Sequence, residues 1–366
     1  MTTGHQKFFE TAQIGDLTTK NRLGVAPMTR VTATEDGHAT ETMTRYYERF
    51  ARGGFGLVIT EGIYTDQAHA QGYLFQPGLT DMAQARAWQP VAKGIQSHGA
   101  LALAQLMHAG GISQGNRFSD FNVAPSAVQP KGQQMAFYRG KDQYPLPREI
   151  DETQIKEAIE GFAETARRAV EVSGFDGVEI HGANGYLLDQ FLTDYTNTRS
   201  DQYGGSTENR VRLTLEVIGA VRAAIGNAVP LGVRISQGKV NDNLHKWAGT
   251  EKDAEIIFGS LAYAGVDYIH VTEFEAWQPA FGEGPSLAHF AKKYAPNTVI
   301  LANGSLHDVT KAEEVLRQGA DVVTLGRGAL ANPDFPARIA QSAQLRDFDP
   351  AVLGPIANVK DSELAL

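Results

Sequence analysis

A (β/α)8 barrel in a single domain is the fold class the sequence predicts, on three observations. Eight apolar runs recur along the 366 residues, helical patterns separate most of them, and a glycine-led junction repeats. The junctions are Gly174-Phe175-Asp176-Gly177-Val178, Gly265-Val266-Asp267-Tyr268-Ile269 and Gly319-Ala320-Asp321-Val322-Val323. Each follows an amphipathic stretch and opens an apolar run. Glycine supplies the left-handed residue past a helix end, and a Val/Ile-rich run without polar alternation suits a strand buried on both faces. Repeated αβ units are implied.

In chain order the strand candidates are 23–26, 56–60, 100–106, 177–180, 230–235, 268–271, 298–302 and 322–325. Between the fourth and fifth, Val211, Leu215, Ile218, Val221 and Ile225 fall at helical spacing and Gly226 ends the pattern. A doubly wound sheet would produce similar alternation, so the polar residues decide. At or just past the successive runs stand Thr29, Gly62, Gln105, His181, Arg234, Thr272, Gly304 and Arg327. They would form one ring at the C-terminal mouth of a barrel, where barrel enzymes carry their sites. After the third run, residues 107–150 are rich in Gly, Ser, Gln and Pro and far exceed an ordinary βα loop. They read as a lid over the mouth, with a variable surface insertion as the alternative.

Composition narrows the function. A net charge of -9 argues against nucleic-acid or anionic-membrane partners, which need clustered Lys and Arg. The absence of cysteine removes disulfides, thiolate metal sites, iron–sulfur clusters and cysteine nucleophiles. The N-terminus lacks a basic start followed by a long apolar core, and no eighteen apolar residues run together, so a cytoplasmic protein is expected.

The densest chemistry lies just after the fourth run, in His181, Asn184 and Tyr186. Ring and amide donors three residues apart can grip one carbonyl oxygen, and a phenol two residues on can supply a proton. A free phenol has a pKa of about 10, suited to protonating a carbanion or enolate. Alone, a histidine is more often a structural hydrogen-bonder and a tyrosine a packing residue; their company makes a catalytic loop the stronger reading. Asn303-Gly304-Ser305 and Gly326-Arg327-Gly328 follow the last two runs, where barrels bind phosphate through backbone N–H groups and a guanidinium. The run 326–331 also fits G-x-G-x-x-A, but Pro333 interrupts the helix a dinucleotide fold requires. No ligand-spaced His/Asp/Glu motif suggests a metal. Arg234 sits in an apolar strand and needs an anion, either a core carboxylate or a bound anionic ring.

Together these residues resemble the Old Yellow Enzyme family of flavin-dependent ene-reductases, from Lys20 to about Ile339. The resemblance is carried by HGANGYLLDQFL at 181–192, RSDQYGGSTENR at 199–210, Lys20-Asn21-Arg22, Ala26-Pro27-Met28-Thr29-Arg30, Ile59-Thr60-Glu61-Gly62, Ala104-Gln105-Leu106, Pro125-Ser126-Ala127-Val128 and Gly326-Arg327 through Asn332-Pro333-Asp334. It implies non-covalent FMN, with Thr29 near the flavin C4 carbonyl, Gln105 on the pyrimidine edge and Arg234 near N1 and O2. Backbone contacts would come from Pro27, Met28 and Gly62, and phosphate contacts from Asn303, Gly304, Gly326 and Arg327. It further implies that His181 and Asn184 bind the oxygen of an activated alkene and that Tyr186 protonates its α-carbon. NAD(P)H would be the hydride donor in a ping-pong cycle.

Some positions depart from the family pattern. Thr29 replaces the cysteine of the thermophilic-like branch, placing the chain nearer the classical branch. Met107 and Gly111 stand where tryptophan and arginine are common, and no aromatic residue follows Phe348. Tyr73, Met107 and Trp277 are the candidate pocket walls. A small activated alkene is the expected partner, and a monomer or homodimer the expected state. A flavin-binding sensor and a metal-dependent hydrolase on the same fold are the competing readings.

Overall fold

A computed structural model describes residues 5–365. Its barrel strands are β1 (Leu23–Val25), β2 (Leu57–Ile59), β3 (Leu101–Met107), β4 (Gly177–Asn184), β5 (Leu231–Lys239), β6 (Tyr268–Thr272), β7 (Val299–Asn303) and β8 (Val322–Leu325). Every neighbouring pair is parallel, β8 pairs with β1, and Leu57 beside Leu101 joins β2 to β3, so the ring closes. The helices that cover it are α1 (Glu41–Arg52), α2 (Gln89–Gln96), α3 (Glu152–Glu171), α4 (Arg212–Ile225), α5 (Glu251–Tyr263), α6 (Leu287–Tyr294), α7 (Val309–Arg317) and α8 (Phe335–Ala340). Side-chain caps begin several of them: Thr40 accepts from the Met43 amide, and Asp151 forms a capping box with Gln154. Gly174, Gly265 and Gly319 have φ of +79°, +77° and +118°, the left-handed conformation expected of a helix stop that feeds a strand.

Strand alternation stacks the lumen in layers. At the lower end Leu57, Ile59, Leu103, Tyr268, Leu301 and Val322 pack together, and Ile14, from the preceding hairpin of Ala12–Ile14 and Leu17–Thr19, closes that end. Gly232 makes room for this layer, since a Cβ there would lie 2.1 Å from the Tyr268 ring. Above it the lumen turns polar, with Gln105, Glu179, His270 and Thr324 bonded to one another, and then His181, Arg234, Thr272 and Asn303.

All eight apolar runs are strands, but β4 and β5 extend well past the predicted ends. His181 and Asn184 therefore lie in β4 and not in a loop; only Gly185 and Tyr186 follow its end. Arg234 is in the middle of β5 and Gln105 inside β3, both within the predicted runs. In β4 and β5 the apolar run ends where lumen-facing residues become polar, yet the strand continues because its ladder is made by backbone groups whatever side chains face the lumen.

The 107–150 segment is anchored at several points. Val123–Ala124 pairs with Arg148–Glu149, and a single helical turn spans Ala136–Tyr138. The Tyr138 hydroxyl donates to the Thr29 carbonyl at 2.9 Å, and the Ala357 amide donates to the Phe137 carbonyl at 2.8 Å. Among the described residues no helix is long and apolar enough to cross a membrane.

Candidate active site

A cavity of about 370 Å³ opens at the C-terminal end of the barrel, within the range of small-molecule sites. One side is formed by the segment after β1, with Pro27, Met28 and Thr29 lining it. Glu61 holds that segment: one carboxylate oxygen accepts from the amides of Arg30 (2.9 Å) and Val31 (3.3 Å), and the other from the Tyr47 hydroxyl (3.2 Å). Burial pushes the Glu61 carboxyl up to about 7.

Gln105 and Arg234 form the floor. Gln105 Nε2 donates to Glu179 Oε1 at 2.8 Å, which leaves the Gln105 carbonyl oxygen as the free acceptor. Arg234 Nη2 donates to Asn303 Oδ1 (2.8 Å) and Thr272 Oγ1 (3.2 Å), while its buried Nε has no partner. Among the described residues no carboxylate lies within ion-pair distance of Arg234, so the core-carboxylate alternative is set aside. Glu179 instead meets His270 Nδ1 at 2.8 Å. Burial lowers Arg234 from its usual range and the Glu179 charge opposes that.

His181, Asn184 and Tyr186 converge on the facing wall. The His181 and Tyr186 rings meet edge-on with centroids 4.8 Å apart, and the buried His181 Nδ1 has no partner. Burial, reinforced by the charges of Arg234 and His270, holds the imidazole well below the ordinary histidine range, so it is neutral. Asn184 has a φ of +63°, a left-handed conformation that asparagine tolerates. Its backbone N–H donates to Ser236 Oγ at 2.8 Å and its backbone carbonyl accepts from the Val240 N–H at 3.0 Å, which leaves the side-chain amide uncommitted among the described residues. Beside it, Asp189 accepts from the Gly185 amide and pairs with the buried Lys239 at 2.9 Å. The turn that presents Asn184 and Tyr186 is thus held from both sides. Tyr186 Oη lies 2.6 Å from Tyr73 Oη.

Gly62 and Met107 also line the cavity. At the far end Asn303, Gly304, Gly326 and Arg327 do so too, with Arg327 Nη2 donating to Ser305 Oγ at 3.0 Å. Gly304 has a φ of +141°, and a Cβ there would lie 2.1 Å from the Glu273 carbonyl, so only glycine fits. The Asn303 amide is spent on Arg234 and on the Thr324 carbonyl.

Trp277 is the exception among the candidate residues: the structure places it away from the cavity. It packs against the core with the Lys311 ammonium 5.3 Å from its ring, because the chain after β6 turns outward and sets Phe274 at the rim. Thr272 is also absent from the lining, and its hydroxyl accepts from Arg234 Nη2. Sequence reasoning missed Met135, Phe137 and Tyr138 of the 107–150 segment, and Leu353 near the C-terminus, all of which line the cavity. It also left Glu179 unassigned, although its position two residues before His181 in one strand puts both side chains on the lumen face. No group of three or more potential metal-ligating side chains occurs among the described residues.

Comparison with known proteins gives consistent relatives. The model of the NADH:flavin oxidoreductase / NADH oxidase family matches residues 7–346. An NADH oxidase of Thermoanaerobacter brockii is 32% identical over 350 residues, covering 92% of this chain; the chain spans about half, 51%, of that protein's length. The 12-oxophytodienoate reductase 1 of Oryza sativa subsp. japonica is 34% identical over 348 residues, covering 92% of this chain and 87% of the relative. Among solved structures, the old yellow enzyme homologue from Zymomonas mobilis superposes with a TM-score of 0.86 at 32% identity, covering 98% of each chain.

Proposed function

The chain belongs to the NADH:flavin oxidoreductase / NADH oxidase family, that of the Old Yellow Enzymes, and from this premise we propose that it reduces activated C=C bonds of α,β-unsaturated carbonyl or nitro compounds. It is an NAD(P)H-dependent flavin oxidoreductase whose cofactor is FMN. The observation that carries the reading is one cavity lined together by Gln105 and Arg234 on its floor and by His181, Asn184 and Tyr186.

The residues present fit FMN. Gln105, with Nε2 committed to Glu179, offers an acceptor suited to a ring N–H. Arg234 offers donors and positive charge suited to the electron-rich pyrimidine side. Thr29 would meet the C4 side, with backbone contacts from Pro27, Met28 and Gly62. The confined backbone at Gly304, with Gly326, Arg327 and the segment from Asn303, would hold the phosphate. Bound there, FMN would supply the hydride chemistry between NAD(P)H and the alkene.

The protein's own part is orientation and proton transfer. Neutral His181 and the Asn184 amide donate to the carbonyl or nitro oxygen, drawing charge from the double bond so that the β-carbon accepts hydride. Tyr186 gives its proton to the α-carbon, and solvent restores it. Nicotinamide and alkene use the same space in turn, which makes the cycle ping-pong and explains the absence of a dinucleotide fingerprint. Met107, Tyr73, Phe137 and Tyr138 form an apolar and aromatic enclosure for the substrate body. The turn carrying the last two, tied down at Thr29 and Ala357, supports the reading of 107–150 as a lid.

The test is the visible spectrum of the purified protein under anaerobic conditions, with NADPH added first and 2-cyclohexenone second. Flavin bands should bleach and then return. A colourless protein that takes up no FMN overturns the reading, and bands that bleach but return with no alkene point to a redox sensor.

A further inference from the structure

We propose that Tyr73 is a positioning residue for the proton-transfer step: its phenol donates to Tyr186 Oη, which aims the Tyr186 proton at the substrate and holds the charge left behind. The inference rests on the assignment of Tyr186 as the acid. Tyr73 is 1% exposed, and its hydroxyl has one hydrogen-bond partner among the described residues, Tyr186 Oη at 2.6 Å. Geometry permits either oxygen to be the donor. Only one choice serves the chemistry, because a Tyr186 proton pointing at Tyr73 is unavailable to carbon.

The surroundings make Tyr186, and not Tyr73, the phenol that gives up its proton. Both phenols are raised by burial, but Arg234 and the bond from Tyr73 pull Tyr186 back, whereas Tyr73 is driven well above 10 with Tyr186, Tyr138 and Tyr144 adding to the effect. The charged and titratable groups facing the pair are Arg234, neutral His181, Tyr138 and Tyr144. Tyr138 cannot take over the role, since its hydroxyl donates to the Thr29 carbonyl, and its ring lies 4.7 Å from that of Tyr73 and holds it in place. In the transfer itself the Tyr186 O–H bond breaks, the α-carbon gains the proton, and the electron pair stays on Tyr186 Oη. Tyr73 keeps its own proton and now donates to an anion, a hydrogen bond roughly twice as strong as one to a neutral acceptor.

The experiment follows anaerobic reoxidation of the reduced holoenzyme by 2-cyclohexenone and, separately, by ferricyanide, which requires no protonation of carbon. In Tyr73→Phe the ratio of the two rates should fall by about 10- to 100-fold, and the alkaline limb of the enone profile should move to higher pH. In a second variant, 3-fluorotyrosine at position 73, a stronger donor, should move that limb to lower pH. An unchanged ratio with an unmoved limb would mean that Tyr73 only packs, and the proposal fails. If Tyr186→Phe keeps the full enone rate, the acid is misassigned and the proposal falls with it, which separates that failure from one confined to Tyr73.

Discussion

Gln105 Nε2 and His270 Nδ1 bind the two oxygens of one buried carboxylate, Glu179, each at 2.8 Å. A lumen residue that touches no ligand thereby decides which end of the Gln105 amide faces the cavity. In Glu179→Gln one oxygen becomes an N–H₂ donor; set against Gln105 it leaves a donor facing a donor unless Gln105 reverses, and set against His270 it forces the other imidazole tautomer. FMN affinity should fall by about 10- to 100-fold, consistent with the cost of an unsatisfied buried group. Fluorescence titration of the apoprotein with FMN measures it, and unchanged affinity would remove Glu179 from the flavin site.

Tyr186→Phe removes the proposed acid and leaves the ring. Reduction by NAD(P)H should stay near normal while reoxidation by a simple enone slows by about 10²- to 10⁴-fold, the usual worth of a placed general acid. Stopped-flow absorbance of the two half-reactions separates them. Lost reduction with enone turnover kept would contradict the role given to Tyr186.

Stability should depend on pH through groups of opposite sign. Burial lowers His108, His181 and His270 below 6.5, so each binds fewer protons folded than unfolded, and stability drops as pH falls below about 6.5. Glu61, raised to about 7 from 4.5, does the reverse: its contribution is present below 4.5 and is lost as pH rises through 7. Glu61→Gln removes that opposing slope. Its thermal midpoint should therefore fall more steeply between pH 7 and pH 5 than that of the unsubstituted protein, as read by calorimetry.

Near the C-terminus, Glu363 is 4% exposed and pairs with two buried guanidiniums, Arg30 at 2.5 Å and Arg49 at 3.3 Å. Glu363→Ala would leave both cations buried without a carboxylate. A loss of about 3–5 kcal/mol is expected, measurable by chemical denaturation. Arg30 also donates to the Ala357 carbonyl, and Ala357 bonds to Phe137, so limited proteolysis should cut the 350–364 segment and the 136–138 turn sooner in this variant.

What the sequence determined by itself was the barrel and most of the residues that line its cavity. Strands buried on both faces are continuous apolar runs, and helix stops are glycines, both readable from neighbours in the chain. His181, Asn184 and Tyr186 were legible because their spacing is short, and Gln105, Arg234 and Gly304 because each follows from its place in a strand or at its end. Tertiary structure alone decided what depends on residues far apart. The Tyr73–Tyr186 bond joins positions 113 residues apart, and the Arg30–Glu363 pair joins positions 333 apart. No local pattern marks Phe137, Tyr138 or Leu353 as cavity walls, nor Trp277 as a residue outside them. An aromatic side chain has the same hydrophobic signature in a core as in a pocket, and only the path of the loop that carries it tells the two apart.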